Sequence, residues 1–283
     1  MTSNIKNQFP FVITIAVLAL TAFIMLMPVA ALFGKIANDD FKLEYIGLTF
    51  KMGLIFSIGY SLIKTLKLQS LAGLSRPFPW QFGYLNLIPG YLIAIALLGL
   101  LGQDLSAIAP FNLMLLLIGC LMVGFAEEYL FRGLLQSLFL NKYGLRKNGI
   151  LISILLSSGL FGLFHLLNLT RNDNVGQVLV QVVFATFIGF FFGVMVLKTN
   201  RLNPLAITHG LINFSFSIAF LPGLKTVQEE VSGPVSLAPI ILTLPLFVIA
   251  FLIFKKTDKK GIAKNLEMAK PETYTIRAER KWL

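Results

Sequence analysis

The sequence predicts an all-α protein, a polytopic bundle of about eight transmembrane helices with both termini in the cytoplasm. Of its 283 residues, 56% are hydrophobic and only 13% are charged, whereas soluble domains contain about 25% charged residues. Apolar runs recur along the chain at the length of about 20 residues that a helix needs to cross a bilayer. Basic residues are concentrated in alternate connections between these runs, which is typical of a multi-pass membrane protein.

Each apolar run of helix length is predicted to form one transmembrane helix. No long soluble segment separates the runs, and no internal repeat is evident. The runs are residues 10–33, 46–65, 84–101, 112–134, 149–167, 178–197, 203–221 and 238–254. We therefore predict one membrane domain over residues 1–254, followed by a basic cytoplasmic tail over residues 255–283.

The positions of Lys and Arg predict the orientation, because cytoplasmic connections are enriched in these residues. With the N-terminus inside, the connections predicted to be cytoplasmic contain Lys6, Lys64, Lys67, Arg76, Lys142, Arg146, Lys147, Lys198 and Arg201. The opposite connections contain Lys35, Lys42, Arg171 and Lys225. The net charge of +11 is thus explained by membrane orientation, and no nucleic-acid partner is expected. Short loops and the lack of a long targeting segment favour the plasma membrane of a bacterium.

The segment GFAEEYLFRG, residues 124–133, places three charges inside a predicted span. A charge at the centre of a bilayer costs about 2.5–3.5 kcal/mol on insertion scales, so such side chains face a bundle interior or a water-filled cavity. Glu128 and Arg132 are four residues apart on one helix face and are predicted to form an ion pair. Glu127 is rotated by about 100° from Glu128 and points elsewhere. Alternatively, all three residues form a polar cluster that only fixes helix packing.

The two histidines of the chain, His165 and His209, both lie in predicted spans. Asn203 followed by Pro204 is typical of a helix N-terminus, which places His209 and Asn213 four residues apart on one face of the next helix. Either histidine alone is more often a packing residue. Two histidines and an asparagine on two helices, with a free glutamate on a third, favour a functional site instead.

These residue types suit hydrolysis of an acyl or peptide bond by water. A buried carboxylate can act as a general base while an imidazole orients the water, and His and Asn donors can stabilise a tetrahedral oxyanion. No serine or cysteine has a matching partner motif, so covalent catalysis is the weaker proposal, and Cys120 is interpreted as a packing residue. Glu, His and His can also bind Zn²⁺, but no HExxH spacing occurs. We expect no cofactor, with zinc as the minority alternative.

Three motifs occur in a fixed order: EExxxR at residues 127–132, FxxxH at 161–165 and HxxxN at 209–213. With them the sequence resembles the CPBP family, also called the Abi or type II CAAX-prenyl-protease family of intramembrane glutamic endopeptidases. The motif core covers roughly residues 112–221.

The resemblance implies a role for each motif residue. Glu127 would activate a water molecule that His165 helps to bind, and His209 and Asn213 would form the oxyanion site. The resemblance also implies that Glu128 and Arg132 support the site.

The resemblance further implies an endopeptidase that cleaves a peptide bond near the cytoplasmic membrane face, in a cavity open to lipid. The substrate would be a membrane-associated peptide or protein, lipidated or not. One alternative is a proton-coupled carrier in which Glu127, His165 and His209 form a relay. Another is a noncatalytic protein that binds a membrane partner, as in bacteriocin immunity. The oligomeric state is left open, because the GxxxG pattern at Gly189 and Gly193 more often reflects packing within one chain than a dimer.

Straight helices pose a difficulty for this site. They would place Glu127 and His165 more than about 20 Å from the cytoplasmic loop between their helices, and His209 at about 12 Å from its own loop. The three side chains can meet only if the helices tilt, extend beyond the bilayer, or begin at other residues.

Overall fold

The structure, a computed structural model, describes residues 9–28, 30–34, 39–75, 80–224 and 234–257, with side chains described for all of these except residues 30, 31 and 80–83. These ranges are helical and contain no strand, which confirms the all-α prediction. Of the predicted basic tail, only residues 255–257 lie within the described ranges.

Ten α-helices are present in the described part of the chain. They are α1 (Pro10–Leu26), α2 (Ala30–Phe33), α3 (Asp40–Thr65), α4 (Gly90–Leu98), α5 (Pro110–Glu128), α6 (Gln136–Tyr143), α7 (Gly149–Phe164), α8 (Val175–Thr199), α9 (Asn203–Ser217) and α10 (Ala238–Lys256). A π-helix, Tyr129–Leu135, joins α5 to α6 without a break. Short 3₁₀ segments are Trp80–Leu87, Leu105–Ala107, His165–Thr170 and Ile218–Phe220.

Five helices of the described part are long and apolar enough to cross a membrane. They are Asp40–Thr65, Pro110–Tyr143, Gly149–Thr170, Val175–Thr199 and Ala238–Lys256. Pro10–Leu26 and Tyr84–Leu98 are shorter apolar helices, and α9 has 15 residues. The protein is a membrane protein, whereas the eight spans and the cytoplasmic termini stay predictions.

Some bounds differ from the predicted runs, and the differences have local causes. The first run, 10–33, is split because α1 ends two residues before Pro28, and a proline ring does not continue a helix. The third run, 84–101, is divided at Pro89 into a 3₁₀ segment and the short α4. The fourth, 112–134, continues to Tyr143, because Gln136, Ser137 and Asn141 of α6 are buried and do not end the helix.

Close contacts show how the helices run relative to one another. α5 and α9 are antiparallel, because Gly124 lies against Ala206 and Leu121 against Gly210. α3 runs parallel to α5, with Gly119 beside Tyr45 and Gly59 beside Tyr129.

The helices that follow alternate in the same way. α7 is antiparallel to α8, since Gly162 contacts Thr186 while Gly193 contacts Ile154. α10 runs parallel to α8, with Val235 near Gly176 and the Phe247 ring 4.9 Å from the Phe187 ring.

These directions give the bundle two distinct ends. At the basic end α3, α6, α8 and α10 finish, and its described charged residues are Lys64, Lys67, Lys142, Arg146, Lys147, Lys198, Arg201, Lys255 and Lys256. At the acidic end α3, α5 and α8 begin, and its described charged residues are Asp39, Asp40, Lys42, Glu44, Asp104, Arg171 and Asp173.

Candidate active site

A cavity of about 380 Å³ lies between α1, α3, α5, α7, α8 and α9. Its wall includes all four residues that the sequence nominates as catalytic: Glu127, His165, His209 and Asn213. The remainder of the wall is mainly aliphatic and aromatic, with a few uncharged polar side chains: Thr21, Tyr45, Asn168, Gln181 and Ser217. The structure therefore brings three sequence motifs from three helices into one apolar cavity.

Glu127 and Glu128 are adjacent in sequence but have opposite surroundings. The Glu127 side chain is 20% exposed and lines the cavity, with its Oε2 atom 3.5 Å from His209 Nε2. Glu128 is completely buried, and its Oε1 atom accepts hydrogen bonds from Arg132 Nη1 at 3.0 Å and from His209 Nδ1 at 2.8 Å. The ion pair predicted from the i, i+4 spacing is therefore present, and only Glu127 faces the space where a substrate would bind.

The contact with Glu128 determines which ring nitrogen of His209 carries a hydrogen. A carboxylate paired with a guanidinium only accepts hydrogen bonds, so Nδ1 of His209 must be the donor. The ring then directs Nε2 toward Glu127. His209 thus connects the buried carboxylate to the one in the cavity, and its orientation depends on Glu128.

Arg132 is fully buried between aromatic rings. Its guanidinium carbon lies 4.2 Å from the centroid of Phe161 and 5.8 Å from that of Phe192, distances at which the ring faces attract a cation. A Cβ atom at Gly189 would lie 2.8 Å from Arg132 Nη2, so only glycine leaves room for the guanidinium there. The GxxxG pattern packs within the chain, as expected, and the oligomeric state stays open.

His165 lies where α7 ends and a 3₁₀ segment begins. Its Nδ1 atom is 2.9 Å from the carbonyl oxygen of Phe161. A carbonyl oxygen can only accept, so Nδ1 carries the hydrogen and Nε2 of the neutral ring is a free acceptor. Such an atom suits the binding of a water molecule in the cavity.

A tight crossing of α5 and α9 places His209 beside the two glutamates. A Cβ atom at Gly124 would lie 2.3 Å from the carbonyl oxygen of Ala206, and one at Gly210 would lie 2.8 Å from Leu121 Cα. Both positions therefore require glycine.

The start of α9 resolves the difference in depth that straight helices imply. Tyr129 donates a hydrogen bond of 2.6 Å to Asn203 Oδ1, so α9 begins within side-chain reach of the residue that follows α5. His209 consequently lies as deep as Glu127.

Two features of the site were not predicted from the sequence. The amide of Asn168 donates to Gln181 Oε1 at 2.8 Å, and this pair spans α8 and the segment after α7 in the cavity wall. The sequence does contain an indication of this pair, because Gln181 is an uncharged polar residue inside an apolar run. The π-helix directly after Glu128 is the second feature; such segments are frequent at functional sites, but residue types give no sign of it.

In the described ranges, no group of three or more His, Cys, Asp and Glu residues is arranged to hold a metal ion. Glu128 is already bound by Arg132 and His209. The expectation that the protein needs no cofactor stays a prediction.

Comparison with known proteins identifies a family for the central part of the chain. Residues 109–215 match the model of a family described as "Rce1-like: Type II CAAX prenyl endopeptidase Rce1-like". The match includes all three motifs and thus confirms the resemblance to the CPBP proteases seen in the sequence. No curated protein and no solved structure matches the chain. Over this region the chain is therefore similar to a family of membrane proteases.

Proposed function

We propose, from the match of residues 109–215 to a protease family, that the protein is an intramembrane endopeptidase that hydrolyses a peptide bond with a water activated by Glu127. The observation that carries this proposal is the meeting of Glu127, His165, His209 and Asn213 in one cavity. A cluster that served packing alone would leave no space in front of these side chains. Here the space is about 380 Å³, enough for an extended peptide segment of a few residues.

In the proposed reaction, Glu127 accepts a proton from a water molecule, and the resulting hydroxide attacks the scissile carbonyl carbon. The free Nε2 atom of His165 accepts the other hydrogen of the water and so orients it. The tetrahedral oxyanion receives hydrogen bonds from the side-chain amide of Asn213 and from His209. Glu127 then gives its proton to the leaving amine as the C–N bond breaks.

The contacts of His209 add one requirement to this scheme. Because its Nδ1–H group is held by Glu128, Nε2 can donate to an oxyanion only when the ring is protonated. Glu127 and Glu128 lie on either side of the ring. We therefore propose that Glu128 and Arg132 act as positioning residues for His209.

Substrate, location and cofactor complete the proposal. The substrate is a membrane-associated peptide or protein, because the cavity lies inside an apolar bundle and its wall is mainly apolar. The bilayer would be the plasma membrane of a bacterium, as the short loops of the sequence favour. The scheme uses only side chains of the chain, so we propose that the reaction needs no metal ion.

A library of membrane-anchored peptides tests the function directly. The purified protein in lipid is compared with Glu127→Gln, with and without a chelator, and Glu44→Gln serves as a matched control because Glu44 is an exposed carboxylate at the acidic end. We expect cleavage by the wild type and by Glu44→Gln, a loss in Glu127→Gln, and no effect of the chelator. Equal cleavage by all variants would exclude Glu127 as the base, and loss on chelation would favour zinc. No cleavage by the wild type would favour the carrier or partner-binding alternatives.

A further inference from the structure

We propose that the side-chain amides of Asn168 and Gln181 bind the backbone of the substrate, so that the protein acts on a peptide segment in an extended conformation. These two side chains form the amide pair, which lines the same cavity as Glu127 and His165. The identity of the substrate as a peptide rests on the proposed function. The binding itself can be measured without cleavage.

The amide pair has hydrogen-bonding groups that the protein does not use. Asn168 Nδ2 donates to Gln181 Oε1 at 2.8 Å, and among the described residues no other hydrogen bond of either side-chain amide is found. A primary amide has two N–H groups and one carbonyl oxygen, so the pair keeps Asn168 Oδ1 as an acceptor and Gln181 Nε2 as a donor. Both side chains are partly buried and line the cavity, so a bound ligand can reach these groups.

The hydroxyl groups of the cavity wall are less suited to a peptide backbone. Thr21, Tyr45 and Ser217 each bring one hydroxyl to the wall, and that of Thr21 already donates to the carbonyl oxygen of Val17. The amide pair instead places an acceptor and a donor side by side. One residue of an extended strand offers the complementary pattern, its own N–H and C=O groups on the same edge. The amide pair therefore matches a peptide backbone.

Binding of this kind requires a substrate segment that is not helical. Inside an α-helix each backbone N–H is already bonded to the carbonyl oxygen four residues earlier, so it is not free to donate to Asn168. In an extended segment both backbone groups are free, and main-chain hydrogen bonds supply affinity whatever the side chains are. The amide pair therefore recognises the local conformation of the substrate rather than a particular side chain.

The type of helix sets the distance between the amide pair and the reacting bond. His165 and Asn168 both belong to the 3₁₀ segment His165–Thr170. In such a helix, side chains three residues apart lie on the same face, about 6 Å apart along the axis. An extended peptide advances about 3.3 Å per residue. When the water held by His165 attacks the scissile carbonyl, the amide pair therefore contacts the substrate backbone about two residues away.

The amide pair has a rigid support. α7 and α8 cross closely near it, because a Cβ atom at Gly162 would lie 2.0 Å from Thr186 Oγ1. Gly162 lies one turn before His165, and Thr186 lies on α8 shortly after Gln181. Groups on packed helices are held more precisely than groups on loops. The spacing between the amide pair and His165 is therefore set before a substrate binds.

Replacement of single backbone N–H groups of a peptide by ester oxygens tests this binding. The probe is a fluorescent apolar peptide of non-repeating sequence with a lipid anchor, and the Glu127→Gln protein in nanodiscs is titrated into it. We expect one ester position to weaken binding by roughly 3- to 10-fold, the usual value of one hydrogen bond. The other ester positions should change the affinity little.

Variants of the amide pair assign this effect to its atoms. Asn168→Leu, made in the Glu127→Gln protein, has a similar shape but no acceptor, so the critical ester should have no further effect. Asn168→Asp keeps an oxygen acceptor and should restore the effect. Gln177→Met is the matched control, because Gln177 lies one turn before Gln181 on α8 but not in the cavity wall, and it should keep the full effect.

The ratio of ester to amide affinity is compared within each variant, so a general loss of stability cancels. An ester effect that is as large in Asn168→Leu as in its parent would overturn the proposal. So would a lack of saturable binding of the probe, or a lack of any position at which the ester weakens binding.

Cleavage of the same peptides separates this proposal from the proposed function. In the wild type, the critical ester, placed away from the scissile bond, should raise KM with little change in kcat, because the hydrogen bond forms already in the bound substrate. If the Glu127→Gln protein shows the ester effect but the wild type cleaves no peptide, the role of the amide pair is upheld and the proposed function fails. If the wild type cleaves the peptides and no ester changes KM, the role of the amide pair fails and the proposed function stands.

Discussion

The cavity and the buried polar cluster beside it, formed by Glu128, Arg132 and His209, contain the same kinds of side chain. They differ in how many of the polar atoms are already hydrogen-bonded within the protein. In the cluster, Glu128 accepts hydrogen bonds from both Arg132 and His209 and has no exposed surface. In the cavity, the Oε2 atom of Glu127 lies 3.5 Å from His209 Nε2, and a fifth of the Glu127 side-chain surface is exposed. A buried carboxylate held by two donors orients its neighbours, whereas one that faces an open space can accept a proton. The difference therefore indicates that Glu128 holds His209 in place, whereas Glu127 is the carboxylate available to accept a proton.

Neutralising each glutamate in turn tests these two roles and should give the largest effect. Glu127→Gln should lower the rate of peptide cleavage by roughly 10²- to 10⁴-fold, the usual contribution of a general base, with little change in thermal stability. Glu128→Gln should lower thermal stability as well as activity, since it leaves Arg132 buried without its counter-charge. Rates on an anchored peptide and melting curves in lipid measure the two effects. Equal stability losses for both variants would contradict the assignment.

Replacing Arg132 should have the second largest effect, a loss of stability. Arg132→Met removes one partner of a buried ion pair, which costs about 3–5 kcal/mol, so we expect a strong loss of stability. The double variant Glu128→Gln with Arg132→Met removes both charges and should recover part of that loss. Denaturation of the three proteins in the same detergent measures this recovery. A double variant as unstable as the sum of the single variants would show that the pair has no special role.

Much of this arrangement follows from the sequence, but not all of it. The i, i+4 spacing predicts the contact between Glu128 and Arg132, because four residues bring two side chains to one face of a helix. The position of His209 beside both glutamates does not follow, since it depends on the depth at which α9 begins. That depth is set by the bond between Tyr129 and Asn203 and by the glycine crossing at Gly124. Contacts between helices are properties of packing and cannot be derived from one helix.

The bounds of the predicted spans also follow from the sequence only where tertiary packing does not change them. The apolar runs that form α7, α8 and α10 are predicted almost to their bounds, because their residues face lipid or an apolar core. The fourth run is predicted nine residues too short, ending at 134 instead of Tyr143. Its last turns carry Gln136 and Asn141, which hydropathy assigns to a loop. Their burial against α7 and α8 keeps them in the helix, and this burial is a tertiary effect.

Asn213 should have a smaller effect that is confined to one kinetic constant. Asn213→Ala removes a donor to the proposed oxyanion, which costs about 10²- to 10³-fold in kcat. KM should change little, because the bond forms only in the transition state. The two constants are measured separately on an anchored peptide. A rise in KM with kcat unchanged would place Asn213 in substrate binding instead.

Replacing Cys120 should have the smallest effect. The substitution distinguishes an activated water from a cysteine thiol as the nucleophile. Its side chain lines the cavity and is 4% exposed, so a thiol attack on the substrate is the natural competing chemistry. However, the His165, His209 and Asn213 side chains line the same cavity as Glu127, and Cys120 lies two helical turns before Glu127 in α5. Cys120→Ala should keep most of the cleavage rate and cost about 1 kcal/mol of stability. A complete loss of cleavage in a variant that stays folded would favour a cysteine nucleophile. A rate that persists, together with loss in Glu127→Gln, leaves activated water as the nucleophile.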